Sequence, residues 1–550
     1  LIKCHILIIP KMNLPQQISP NIFKQLLNKL SPLILLLLIG VISLYLTRPD
    51  NFNIKWFDET LYYTVAQNIS SNFDFNNHHY LSSSIISKGY STKDTHLPGY
   101  PLIIALGFQV FGISEKIPFF INYLILAISL IAIYSIGKKI VNPTVGILAG
   151  IIYLCFPYTL ILTHAIMTEI VAGCFVVMTA LILLENRYNQ PNYLAYIKGL
   201  ILAGLIAFAY LIKPFLLILL PVNFIIIFIN KELNYQKILF SLLATFTVLG
   251  ITVLLPLSSN QEIYPYALTK IAGYIAEGDL INALILTKDN FIFNLGLLFN
   301  ISKFPVYSAI SFTIFSCLIL GLIHLFYFKY YENNQANQYN PKLATVQINS
   351  YKTLIIFTAG TFIPVCFAVL FLYQYIDMGM RGLTSFSPLL SIILAVHIWQ
   401  VYYAYKQQQS PKIKLQILII IVMIFILILG TVGNFQQLRN LQLRQSQRLH
   451  TNSDRLVKVM KQFSLKPRMV MSAKNFYLPI AKYPTQVIWQ LPESLQELQA
   501  IEKKVTIDLI ELRDDQPLFQ ENLQKYGSFQ SLDNRYPFRY REGNYYFYFP

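Results

Sequence analysis

Charge is scarce in this chain. Of 550 residues only 13% are charged, against about 25% in an ordinary soluble domain, while 55% are hydrophobic. A soluble enzyme is thereby excluded as the default. No Walker-type phosphate loop is present, and no Asp-x-Asp occurs anywhere. Neither ATP nor a nucleotide-sugar donor therefore has a visible binding site. Cysteine is sparse as well. Of the five, Cys155, Cys174, Cys317 and Cys366 fall in apolar runs and Cys4 lies near the start. No disulfide framework is available to an external segment.

Long apolar runs are what the chain has in abundance. Crossing roughly 30 Å of hydrocarbon takes about 20 helical residues. Runs suited to this recur over 30–47, 117–137, 144–163, 167–185, 195–212, 214–230, 238–257, 305–328, 353–375, 383–404 and 415–433. The fold class expected is an α-helical polytopic membrane protein with about eleven spans.

With the N-terminus cytoplasmic, the inside segments hold Lys24, Lys29, Lys138, Lys139, Arg187, Lys198, Lys231, Lys237, Lys329, Lys342, Lys352, Lys406, Lys412 and Lys414. The outside segments are poorer in Lys and Arg, as the positive-inside rule requires. The formal charge of +17 is spread over many loops and the tail. Contact with anionic membrane lipids accounts for it, and no nucleic-acid-binding stripe is formed. The opening "LIKCHILIIPK" is too short and too poorly bounded for a signal peptide. Translation from Met12 is as sensible as from Leu1.

Three parts are expected: a cytoplasmic segment over 1–29, a membrane domain over 30–433, and an extracytoplasmic tail over 434–550. Outside pieces of some length fall at 48–116 and 258–304, and the inside loop 330–350, rich in Asn and Gln, reads as a flexible connector. The tail has a charged helical pattern at 452–464, then "RMVMSA", "TQVIWQL", "PESLQELQAIEKK", "VTIDLIEL" and "NYYFYFP". Short β-rich runs around a helical one predict a small α/β domain.

The candidate site lies in loop 48–116. "WFDETLYYTVAQNIS" places Asp58 and Glu59 together just past the first span. As a helix, it carries Phe57, Leu61, Val65 and Ile69 on one stripe, suited to the membrane interface. Two readings of the acids stand. Acidic residues cap helix starts and complement the helix dipole, and a functional role for the pair stands beside that reading.

Downstream come Lys93, Asp94 and His96, then an apolar run too short to span, expected to enter the membrane partway from the outer face. One His beside one Asp is not a metal site. Glu169 in "THAIMTEIV", Lys213 in "YLIKPFL" and Arg381 in "DMGMRGLTSFSPLL" fall on the same predicted side. Each alone has a structural explanation, by snorkelling or first-turn stabilisation; their coincidence on one face points to function.

"DETLYYTVAQNI", "HLPGYPLIIALGFQVFG", "MTEIVAGCFVVMTALILLE", "GLIAFAYLIKPFLLILLP" and "MRGLTSFSPLLSIILA" occur in this order over about 58–395. The order resembles the GT-C glycosyltransferases that use polyprenyl-phosphate sugars, the clan of protein O-mannosyltransferases and lipid A aminoarabinose transferases. The tail is similar to the small α/β domain of many members.

The resemblance implies a transferase of the plasma (inner) membrane. It would move a sugar, with inversion, from a polyprenyl-phosphate-linked donor to a lipid, protein or glycan acceptor at the outer face. Asp58 becomes the general base, Glu59 its neighbour, and Lys213 and Arg381 the cations at the donor phosphate. Lys93, Asp94, His96 and Glu169 are further candidates. No cofactor is certain, and a divalent metal is left open. Two other classes compete: a transporter or flippase of lipid-linked sugar, which needs charges at mid-membrane, and a membrane-anchored envelope binding or assembly protein, which needs fewer spans.

Overall fold

The computed structural model describes residues 20–47, 57–75, 80–82, 97–184, 192–229, 243, 246–247, 250, 266–299, 341–372, 382–408, 454–472, 486–490, 495–513, 535–542 and 545–550. Helix α1 (Pro20–Thr47) is followed by α2 (Phe57–Asn72), the short strand β1 (Tyr80–Ser82) and α3 (Gly99–Phe111). Then come α4 (Lys116–Ile140), α5 (Pro143–Cys155), α6 (Pro157–Thr163), α7 (Thr168–Leu184) and α8 (Asn192–Ile212). A 3-10 turn at Pro214–Ile218 leads into α9 (Leu219–Ile229). Helices α10 (Tyr266–Ala276), α11 (Leu280–Phe299) and α12 (Pro341–Leu372) precede α13 (Ser387–Gln408), which a 3-10 turn at Thr384–Phe386 introduces.

Among the described residues, the runs at Leu30–Thr47, Lys116–Ile140 and Thr384–Tyr402 are long and apolar enough to cross a membrane, and Gly99–Phe111, Pro143–Cys155, Thr168–Leu184, Ile197–Ile212, Pro214–Ile226 and Ser350–Cys366 are shorter apolar helical stretches. The run 238–257 is described only at four helical positions, and 305–328 and 415–433 lie outside the described residues.

The single span expected over 144–163 is two helices. Pro157 cannot donate to the helical ladder and drives its predecessor out of the α region. Phe156 accordingly sits at φ −63°, ψ 130°, and the chain breaks between α5 and α6. The start of α5 is clean: Asn142 accepts the Val145 N–H at 3.0 Å, with Pro143 in the first helical position. Helices α4 and α5 touch backbone to backbone, since a Cβ on Gly137 would fall 2.7 Å from Gly146 Cα. Leu36 of α1 fills the space beside Gly150.

The tail contributes α14 (454–462), β2 (Met469–Ser472), β3 (Gln486–Gln490), α15 (Leu495–Glu502), β4 (Leu509–Arg513), β5 (Phe538–Glu542) and β6 (Tyr545–Phe549). Its five strands and β1 form one six-stranded sheet, order β1-β3-β2-β4-β6-β5. Strand β1 comes from the first loop and pairs in parallel with β3, Tyr80 opposite Val487. One face of the sheet packs Met469, Met471 and Ile488 against Leu498 and Ile501 of α15. The other packs Val470, Val487 and Phe547 against Leu456 and Val459 of α14 and against Leu61 of α2.

Helix α2 is therefore a wedge. Tyr62, Tyr63, Val65, Ala66 and Ile69 belong to the core of the helical bundle, while Leu61 belongs to the core of the tail. The stripe Leu61, Val65 and Ile69, expected to lie on the membrane interface, is split between two protein cores instead. These three side chains are covered by protein and not by lipid.

Candidate functional site

The site is built around the turn joining α6 to α7. Residues His164–Met167 close it, with His164 N–H bonding Leu160 and Ile161 carbonyls and Ala165 N–H bonding the Leu162 carbonyl. The next residues open α7, placing Glu169 in its first turn, where a carboxylate meets the positive end of the helix dipole.

Glu59 reaches this turn from α2. It is fully buried, and its Oε1 accepts the Ile166 N–H at 2.8 Å. Asp58, one residue earlier, is only half-buried. The two acids thus differ in kind: Glu59 is committed to the protein interior, whereas Asp58 keeps access to the outside of the fold. Asp58 also lies within the first turn of α2, after Phe57, not at a cap position.

Glu169 pairs with Lys213, Nζ to Oε1, at 2.9 Å, with side chains 5% and 15% exposed. Lys213 stands at the break between α8 and the following 3-10 turn. Pro214 holds it extended, at φ −146°, ψ 124°. Its ammonium also lies 5.5 Å from the centre of the Phe215 ring.

Phe215 and Phe386 are in contact at 6.1 Å between ring centres, and a Cβ on Gly382 would lie 3.4 Å from Phe215. The chain leading into α13 thus comes up beside the lysine. Arg381, Lys93, Asp94 and His96 lie outside the described residues.

Three polar residues the sequence reading passed over complete the arrangement. Tyr100, at the start of α3, donates its hydroxyl proton to Asn122 Oδ1 of α4 at 3.0 Å. Asn122 in turn donates from Nδ2 to the Ala165 carbonyl at 2.6 Å. His164 is bracketed by Thr47 of α1 and Tyr123 of α4. Their one sequence signal is that polar side chains interrupt apolar runs beside a proline or a helix end, as in "HLPGYP" and "THAIMTE". Among the described residues no three His, Cys, Asp or Glu are grouped so as to hold a metal ion.

Residues 95–258 match the family model for dolichyl-phosphate-mannose-protein mannosyltransferase. No curated protein sequence matches the chain. Among solved structures, an oligosaccharyltransferase of Archaeoglobus fulgidus, in complex with Zn and sulfate, superposes at TM-score 0.54 and 12% identity, covering 91% of this chain and 71% of its own.

ArnT of Cupriavidus metallidurans bound to undecaprenyl phosphate superposes at TM-score 0.51 and 9% identity, over 94% of this chain and 98% of its own. The same protein in the apo state gives 0.53 at 11% identity, over 94% and 97%. At these identities the solved structures define the fold. The family match and the fold neighbours point the same way: the proteins this chain is similar to are GT-C membrane glycosyltransferases.

Proposed function

We propose that this protein moves a sugar from a polyprenyl-phosphate carrier to an acceptor at the outer face of the plasma membrane, with Asp58 as general base. The observation that carries the reading is one turn, 164–169, which gathers the buried Glu59 and the Glu169–Lys213 pair beside a half-buried Asp58. A relative of the same fold is solved with undecaprenyl phosphate bound, which supports a lipid-phosphate carrier here.

In the proposed reaction an acceptor hydroxyl gives its proton to the Asp58 carboxylate as its oxygen attacks the anomeric carbon. The bond from that carbon to the carrier phosphate breaks, and its electron pair leaves on the phosphate. Attack opposite the departing group inverts the anomeric centre. Charge grows on the phosphate oxygens, and fixed cations near them lower the barrier. Lys213 is held for this by Glu169, and Arg381 is the second cation proposed.

The carrier's apolar chain would lie against the apolar helix surfaces. The tail over 434–550, with β1 added to its sheet, would stand outside the membrane and cover α2.

The deciding experiment incubates the purified protein with radiolabelled polyprenyl-phosphate sugars and follows the label. Release of sugar from the lipid, with an inverted anomeric centre in the product, is expected. Intact lipid-linked sugar that only changes leaflet in reconstituted vesicles would make the protein a flippase instead.

A further inference from the structure

We infer that His164 is a positioning residue for this transfer, and the kinetic half of the inference rests on the reaction proposed above. The residue is 1% exposed. Thr47 Oγ1 lies 3.0 Å from Nε2 and the Tyr123 hydroxyl 2.8 Å from Nδ1. A threonine hydroxyl has one proton to give, and that of Thr47 is directed to the Ser43 carbonyl, 2.7 Å away. Nε2–H therefore donates to Thr47 Oγ1, and Nδ1 pairs with the Tyr123 hydroxyl. Both ring nitrogens are engaged.

These two bonds run to two different helices, and the chain beyond His164 carries the site. Ala165 takes the Asn122 amide through its carbonyl at 2.6 Å, and Ile166 gives its N–H to Glu59 at 2.8 Å. Glu169 then engages Lys213. Rotation of the turn would pull Ile166 away from Glu59 and change the placement of Asp58, the next residue on α2. His164 fixes that rotation by tying the turn to the end of α1 and to α4. Its ring is engaged by Thr47 and Tyr123, so the effect argued for it passes through the turn. A residue that only filled space here would need no ring nitrogens, because burying polar atoms costs free energy unless each is bonded.

The test uses full-length protein in nanodiscs. His164→Phe keeps a ring and loses both bonds, while Thr47→Val and Tyr123→Phe each remove one bond at nearly constant volume. Hydrogen exchange is followed by mass spectrometry in 57–66, with 387–408 as reference.

Faster exchange over 57–66 alone is expected in His164→Phe, with smaller increases in the two partner variants. In steady-state transfer kcat should fall by roughly 10- to 100-fold, the scale on which a misplacement of about 1 Å acts, while the donor KM stays within about twofold. Unchanged exchange over 57–66 in all three variants overturns the inference, as does a His164→Phe enzyme with normal kcat. If His164→Phe does not insert, the two partner variants decide. If the unsubstituted protein transfers no sugar, the reaction proposed above is wrong, and the exchange measurement alone decides whether His164 positions α2.

Discussion

Asp58 and Glu59 are neighbours in sequence and opposites in circumstance, one half-buried and one sealed against Ile166. Substitution should separate them. Asp58→Asn removes the proton acceptor and the negative charge of the first helical turn. The dipole effect is about 0.3–1 kcal/mol, a few-fold at most. A missing general base costs roughly 10² to 10⁴ in turnover. A fall of that size, with protein level and donor KM preserved, identifies the base; near-normal turnover leaves Asp58 a helix-end residue.

Glu59→Gln keeps an oxygen for the Ile166 N–H and should be mild. Glu59→Leu strands that buried N–H, at about 1–3 kcal/mol, and should lower the yield of folded protein.

The Glu169–Lys213 pair calls for a different design, because breaking a buried pair from one side costs about 3–5 kcal/mol and confuses folding with function. Lys213→Met alone should reduce protein level. Combined with Glu169→Gln it should restore the level. If Lys213 also serves the donor phosphate, donor KM in the double variant stays raised; a normal KM would confine Lys213 to closing off Glu169.

At the scale of elements, Gly99 decides how α3 meets α8. A Cβ there would fall 2.6 Å from Leu211 C and 2.8 Å from Ile212 N. Backbone atoms cannot swing aside as a side chain can, so Gly99→Ala must push α3 off the end of α8, directly before Lys213. Gly204, in α8 with nothing within 4 Å of its Cβ position, is the control. Gly204→Ala should stabilise by up to about 1 kcal/mol, whereas Gly99→Ala should lower the thermal midpoint and raise donor KM. Equal midpoints for the two variants would mean that the α3–α8 contact yields easily.

Elements differ in how far the sequence disclosed them. The apolar runs located α4, α7 and α8 to within a few residues, and the apolar part of α1 though not its start at Pro20, because a stretch of some 20 apolar residues has few other fates. The break at Phe156–Pro157 was missed, although Pro157 was in plain view, because hydropathy does not register a lost donor. The stripe on α2 was seen but misassigned. Spacing shows that a face is apolar and not what covers it, and half of that cover comes from residues some 400 positions away. His164, Asn122 and Tyr100 were passed over for a related reason: a lone polar residue in an apolar run has no meaning until its partner on another helix is known.

For the molecule as a whole, the sheet is the binding constraint. Strand β1 comes from between α2 and α3 and pairs with β3 of the tail, and Leu61 of α2 is packed into the same tail core. The first loop and the tail must then lie on one side of the membrane, whichever side that is. Lys138, exposed in the last turn of α4, should lie on the other, since α4 at 25 residues is long enough to cross. Single cysteines at Asn72, Lys503 and Lys138, all exposed positions, can be placed in a background without the native thiols. Intact cells are treated with a membrane-impermeant maleimide. Asn72→Cys and Lys503→Cys should both react, and Lys138→Cys should react only after lysis. Labelling of Lys138→Cys alone would turn the protein over and put Asp58 in the cytoplasm, where an outer-face acceptor cannot reach it. Disagreement between Asn72→Cys and Lys503→Cys would break the shared sheet itself, and with it the wedge that holds α2 beneath the tail.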